Sequence, residues 1–206
     1  MFKGNKIYKV NKDGKKKRIF GFKGLKIRFK GENSTVILHE PLSKIKKSKI
    51  IYGNGCFVEI GASNNRIARL LIFCQGDNNS CKIGNNFSCT DTCNIMLQKE
   101  SNLSVNIGDN CMFASNIRLR TTDAHAIYDV ETKEIQNYGK NINIGEHVWL
   151  ALGATVLKGV TIADNCVIGT NSTVTKDCLT PNSIYAGFPA KLIRSGSNWR
   201  REAPKR

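Results

Sequence analysis

Residues 144–179 read IGEHVW LALGAT VLKGVT IADNCV IGTNST VTKDCL, six hexads without remainder. The first positions, Ile144, Leu150, Val156, Ile162, Ile168 and Val174, are all branched aliphatics. The fifth positions, Val148, Ala154, Val160, Cys166, Ser172 and Cys178, are all small or β-branched. A helix repeats near 3.6 residues and a half-buried strand at 2, so a period of 6 fits neither one helix nor a hairpin. It fits a coil of three short flat faces, in which equivalent positions point inward and stack from turn to turn. That is the pattern of a parallel β-helix.

The frame extends towards the N-terminus. Hexads begin at Ile83, Cys89 and Ile95, the segment SNLSVN at Ser101 matches poorly, and the register resumes at Ile107, Phe113 and Leu119. Leu119 and Ile144 are 25 residues apart, which is two hexads plus a 13-residue insertion over about 125–137. An insertion on one face of a solenoid is a common place for a binding site.

The hexads, the segment TTDAHAIYD at 121–129, Trp149 and the closing VTKDCLTPNSIYAGFPAKLIR at 174–194 together resemble the hexapeptide-repeat acyltransferases. Within that superfamily the similarity is greatest to bacterial carbohydrate O-acetyltransferases, including those that acetylate capsules and polysialic acid, and it spans about 83–194. The resemblance implies an all-β, left-handed parallel β-helix; the alternation of apolar and basic residues over 1–50, the interrupted frame and its end at Thr180-Pro181-Asn182 add an N-terminal β extension, one protruding loop and a short C-terminal tail. Handedness rests on the resemblance alone, since periodicity is silent on it and ordinary β-crossovers are right-handed.

The chain has 206 residues, enough for one main domain and a small N-terminal piece. The expected division is a basic β extension or cap at 1–50, the β-helix at 51–194 and a basic tail at 195–206, helical or frayed. No apolar run approaches a membrane span and the lysine-rich start lacks an apolar core, so the sequence reading is a cytoplasmic protein. The eight cysteines contain no CxxC pair. Cys89, Cys93, Cys111, Cys166 and Cys178 fall at inward repeat positions, where a thiol acts as a small apolar filler; a metal site is not expected.

The net charge of +16 is uneven: residues 1–50 carry a surplus of 13 positive charges and the remainder a surplus of 3. Such a segment is either a solvated face or a surface for an anion: an acidic glycan, the headgroups of an anionic membrane, or nucleic acid. Coenzyme A is itself anionic, so part of this field can steer a donor. A nucleic-acid binder without catalysis is the reading from another class, and the absence of an aromatic stacking platform among the lysines speaks against it.

Acyl transfer from a thioester to a hydroxyl needs a base, an oxyanion donor and room for a phosphorylated cofactor. Histidine is the natural base. Of the three histidines, His125 lies beside the insertion in a TDAH segment similar to the family's catalytic histidine motif; His39 reads as structural and His147 as an exposed turn residue. Three histidines without close pairing make a poor metal site. Asp123, Asp129 or a main-chain carbonyl would orient the imidazole. Trp149 ends its hexad and should point outward, either to stack on a sugar or pantetheine arm or to pack between subunits.

By resemblance, acetyl-CoA is the co-substrate. Its contacts would fall on Leu152, Gly153, Thr170, Thr175, Lys176, Lys191 and Arg194, the cations suiting phosphate. Leu150-Ala151-Leu152 departs from the small residues common after the tryptophan, which leaves main-chain contacts there. Asp91, Asn116, Arg118 and Arg120 are candidate acceptor residues, the arginines fitting the carboxylate of a sialic or uronic acid. The resemblance further implies a homotrimer with sites between subunits. Other acceptors, an amino sugar, an antibiotic or an amino acid, remain alternatives.

Overall fold

The computed structural model describes residues 3–204, and among these the chain contains strands and turns but no helix. Strands pair in parallel with the next coil, and three ladders define three faces. On the first, Val58, Cys81, Val105 and Ile142 are successive partners, followed by Ile144 and Ile162. On the second, Ile67, Cys89, Phe113, Leu150, Ile168 and Tyr185 follow one another. On the third, Ile50, Ile72, Ile95, Leu119, Val156 and Val174 do so. All of these side chains are buried, so the column of like on like is the core.

The hexad frame thus predicts the inward positions of the C-terminal coils, where Ile144 pairs with Ile162, one 18-residue turn on. The earlier coils are longer: Val36 pairs with Val58, Val58 with Cys81 and Cys81 with Val105. Their additional residues widen the corner between the third and first faces, where Asn78 and Asn102 adopt φ of 57° and 60°. SNLSVN fits the frame poorly because it forms that wider corner. The larger coils hold larger fillers, including Phe87 and Phe113, whose rings meet edge to face at 5.0 Å.

Strand pairing is continuous across residue 50, which lies within Ser48–Tyr52. Lys6–Val10 pairs in parallel with Thr35–His39, and Leu25–Phe29 with Ser48–Tyr52, so the basic segment is already coiled. Its inward residues Ile7, Leu25, Val36 and Leu38 are buried while its lysines point out. This is the same in/out alternation on a longer turn, which a six-residue test misses. Lys16–Ile19 instead runs antiparallel to Lys6–Val10, as an edge strand that closes the N-terminal end of the sheet. The other end is closed by the antiparallel hairpin of Ser183–Gly187 and Ala190–Ser195.

The tail is neither helical nor free. Ser197 donates to the carbonyl of Asn182, Trp199 Nε1 to that of His147, and Arg201 to those of Asn86, Asn110 and Cys111. These acceptors sit at the corner between the first and second faces, a column of left-handed residues, Asn86, Asn110, His147, Asn165 and Asn182. His147, expected to be exposed, is half-buried there, beneath the indole of Trp199. Lys205 and Arg206 of the expected tail lie outside the described residues.

All eight cysteines are free and buried. Burial pushes the thiols of Cys81, Cys89, Cys111 and Cys178 up to about 12, which suits packing groups and not ligands or nucleophiles.

Candidate active site

The chain between Met112–Arg120 and Ile142–Ile144 leaves the prism at the corner between the third and first faces, where every earlier coil also turns. Its base is pinned by side chains. Glu100 accepts from the Thr122 hydroxyl and, at 2.7 Å, from the N–H of Gly139, clamping both ends of the excursion. Asn137 donates to Asp123 Oδ2 at 2.9 Å and to the carbonyl of His125 at 2.8 Å, and accepts from the N–H of Ile127 at 2.7 Å. Lys158, from the next coil, pairs with Asp123 and donates to the carbonyl of Asn137 at 2.7 Å. The hydrogen bonds from Lys158 and then Asn137 hold the Asp123 carboxyl below its ordinary range.

Beyond this base the loop continues as a small antiparallel ribbon, with Tyr128 opposite Ile135 and Gln136 donating to the carbonyl of Ile127. Asp129 caps its turn, accepting from the N–H groups of Glu131 and Thr132. Asp123 and Asp129 are therefore both committed elsewhere, and neither hydrogen-bonds the imidazole. The His125 side chain is exposed, and among the described residues nothing hydrogen-bonds its ring. His125 is fixed at its backbone and open at its side chain.

The other candidates fall at definite places. Arg118 and Arg120 point outward on the third face in the strand that leads into the loop, and Arg120 is near enough to Asp123 to help hold its carboxyl ionised. Thr175 and Lys176 follow Val174 at the same corner as the loop, Lys176 one coil beyond Lys158. Asn116, with φ of 59°, and Gly153, with φ of 73°, turn the corner between the second and third faces, and Asp91 just before it is paired with Arg69. Leu152 and Thr170 are exposed at that corner in successive coils. A Cβ on Gly153 would come within 2.1 Å of Asn171 Oδ1, so the Asn171 side chain would have to move, and the φ of 73° is one that glycine adopts without strain. Lys191 and Arg194 are exposed on the terminal hairpin. Trp149 opens the second face, its outward neighbours in the ladder being Met112 and Val167.

The chain does not gather these residues at one point. His125, Lys176 and the arginines lie at or beside the third/first corner, whereas Trp149, Leu152, Gly153 and Thr170 line the second face and its edges. Glu100, Asn137, Lys158 and Trp199 were not legible as parts of this arrangement. Glu100 and Lys158 sit at turn positions whose partners come from another coil, the Asn137 side chain bonds across the loop to residues 10–14 earlier, and the one signal for Trp199 was an indole in an otherwise polar tail. A concavity lined by Lys3, Asn5, Arg28 and Lys30 lies at the N-terminal end of the prism and touches none of the candidates.

Residues 141–176 match the family model described as bacterial transferase hexapeptide (six repeats). The chain is 34% identical over 156 residues to the galactoside O-acetyltransferase of Escherichia coli (strain K12), covering 76% of this chain and 72% of that protein. It is 30% identical over 190 residues to the polysialic acid O-acetyltransferase of Neisseria meningitidis, covering 84% and 88% respectively. Among solved structures, the polySia-specific acetyltransferase NeuO superposes with a TM-score of 0.69 at 26% identity, covering 97% of this chain and 86% of the other.

Proposed function

We propose that this chain, which belongs to the hexapeptide-repeat acetyltransferases of left-handed β-helix fold, transfers an acetyl group from acetyl-CoA to a hydroxyl of an acidic bacterial surface polysaccharide in the cytoplasm, with His125 as general base. The observation that carries the chemistry is the pinned loop base: Glu100, Asn137 and Lys158 fix the main chain at His125 and leave its ring without a partner. A base held in this way removes the proton of a sugar hydroxyl. The alkoxide attacks the thioester carbonyl, a main-chain N–H stabilises the oxyanion, and the thiolate leaves with no acyl-enzyme formed. Acetyl-CoA supplies the acyl group; Lys176, Lys191 and Arg194 are the cations suited to its phosphates, and the exposed Leu152 and Thr170 with the half-buried Gly153 leave a corner along which a pantetheine arm can lie.

Two lines support an acidic acceptor. Arg118 and Arg120 adjoin the base, and the outward ladder of the third face continues from Arg118 through Asn94 and Leu71 to Lys49 and Lys26. This places positive charge about 15–20 Å from the arginines at ~4.8 Å per strand, a span of several sugar units. The relatives named for polysialic acid point the same way. An acceptor of another class, such as an amino sugar, is an outcome of the same test.

A homotrimer completes the site in this proposal. His125 and Trp149 stand at different corners of one prism, and each region is flanked by exposed apolar side chains: Tyr128, Val130 and Tyr138 on the loop, and Leu152, Phe188 and Ile193 on the far side. Two unlike apolar surfaces on one chain suit a head-to-tail contact, which closes into a ring. The test is acetyl-CoA turnover against acidic and neutral glycans, with the product read by its mass shift. Turnover on an acidic polymer that vanishes in His125→Ala supports the proposal, and turnover confined to neutral sugars or amines overturns the acceptor class.

A further inference from the structure

The second face has two edges, and the residues proposed for the pantetheine arm lie on one of them, while Arg194 stands above the other, in register with Trp149 through Val167 and Ile184. Leu152, Gly153 and Thr170 lie where it meets the third face. Trp149 lies at the opposite edge, where the first face meets it, and this edge is covered by residues 197–201 of the same chain. The segment descends the column of left-handed corner residues as a strap.

The strap is anchored at both ends. Above, Ser197 donates to the Asn182 carbonyl at 2.7 Å. Below, Arg201 Nη1 donates to Ser88 Oγ at 2.5 Å and Nη2 to the carbonyls of Asn86, Cys111 and Asn110 at 3.0, 3.1 and 3.2 Å. Between the anchors, the Trp199 indole lies flat on His147, with ring centroids 4.2 Å apart and planes 12° apart, and its Nε1 donates to the His147 carbonyl at 2.7 Å. His147 is itself held to Asn165 Oδ1 at 3.0 Å. The ring so fixed meets Trp149 with centroids 6.0 Å apart and planes tilted by 48°. Trp149 sits in a strand of two residues, with Met112 and Val167 beside it along the prism axis; the strap adds a wall at the corner.

We infer that Trp199 is a positioning residue for the acceptor side of the reaction: it fixes the Trp149 indole as the stacking surface for the acceptor sugar, and Arg201 anchors it. This deepens the proposed function and rests on its placing Trp149 in the active site. The assignment to the acceptor rests on the strap lying across the second face from Leu152, Gly153 and Thr170, the edge proposed for the pantetheine arm.

The chain has two tryptophans, so replacing Trp199 leaves Trp149 as the sole indole reporter. With the full-length protein, acrylamide quenching of Trp149 should increase about twofold in Trp199→Ala relative to Trp199→Phe, whose ring preserves the contact. Arg201→Met should shift quenching in the direction of Trp199→Ala. With an α2,8-linked polysialic acid fraction as acceptor, or the best substrate of the glycan panel, Trp199→Ala should raise the acceptor KM by about two- to tenfold, leave the acetyl-CoA KM unchanged and be rescued by Trp199→Phe. Equal quenching in the alanine and phenylalanine variants overturns the inference, as does an unchanged acceptor KM or an equal rise in the donor KM. Quenching requires no turnover, so it judges the strap even if every glycan fails and the acetyltransfer proposal falls.

Discussion

His125 is placed by what surrounds its backbone. Replacing it with alanine should lower kcat/KM by about 10²–10⁴-fold with little change in the acetyl-CoA KM, the loss expected of a general base, and steady-state kinetics on the best acceptor checks it. The loop that carries it depends on the Asp123–Lys158 pair. Asp123's folded pKa is depressed, so the pair's contribution is complete above the ordinary carboxylate range and is lost as pH falls through the lowered value. The loop should therefore open below about pH 4, and in Lys158→Met at neutral pH too. The checks are amide exchange at 123–137 for acidification and tryptic cleavage after Lys133 for the variant. His125 stands out as a candidate because its motif is local in sequence. Asn137 and Lys158 were not, because a hydrogen bond between residues 21 apart leaves no periodic trace.

A coil here is a rung of three short strands, and its stability comes from the column above and below. Phe113 is wholly buried between Cys89 and Leu150 on the second face and meets Phe87 edge to face. Phe113→Ala should cost about 3–5 kcal/mol, read as a lowered midpoint in urea, because rigid neighbouring rungs cannot collapse into the space. Thr173→Ala, outward on the third face, should fall within about 0.5 kcal/mol of the parent. The hexad frame located these inward columns where the turn is a multiple of six, 18 residues in the last coils and 24 between Cys89 and Phe113. It failed over residues 1–50, where the longer turn shifts phase from coil to coil and the lysines of the outward positions disguise strands as an extension.

For the whole molecule, the separation of His125 from Trp149 is the consequential feature. If each site takes its histidine from one chain and its tryptophan from the next, two inactive variants complement. His125→Ala and Trp149→Ala, unfolded and refolded together in equal amounts, should recover about a quarter of wild-type activity, since half the chains supply each partner. Light scattering should give three times the 22.9 kDa chain mass. Activity no greater than that of the separate variants, or a monomeric mass, would remove the shared site. What the sequence by itself determined is the cross-section: a six-residue beat of branched aliphatics leaves three flat faces and an apolar axis, since no other backbone path buries every sixth residue together. What only the tertiary structure decided is which distant turns share a corner. The same corner gathers Glu100, Asn137 and Lys158 under His125, and another brings residues 197–201 back onto His147 and Trp149. Each successive coil stacks ~4.8 Å above the last whatever its contour length, so sequence separation carries no information about which turn residues meet.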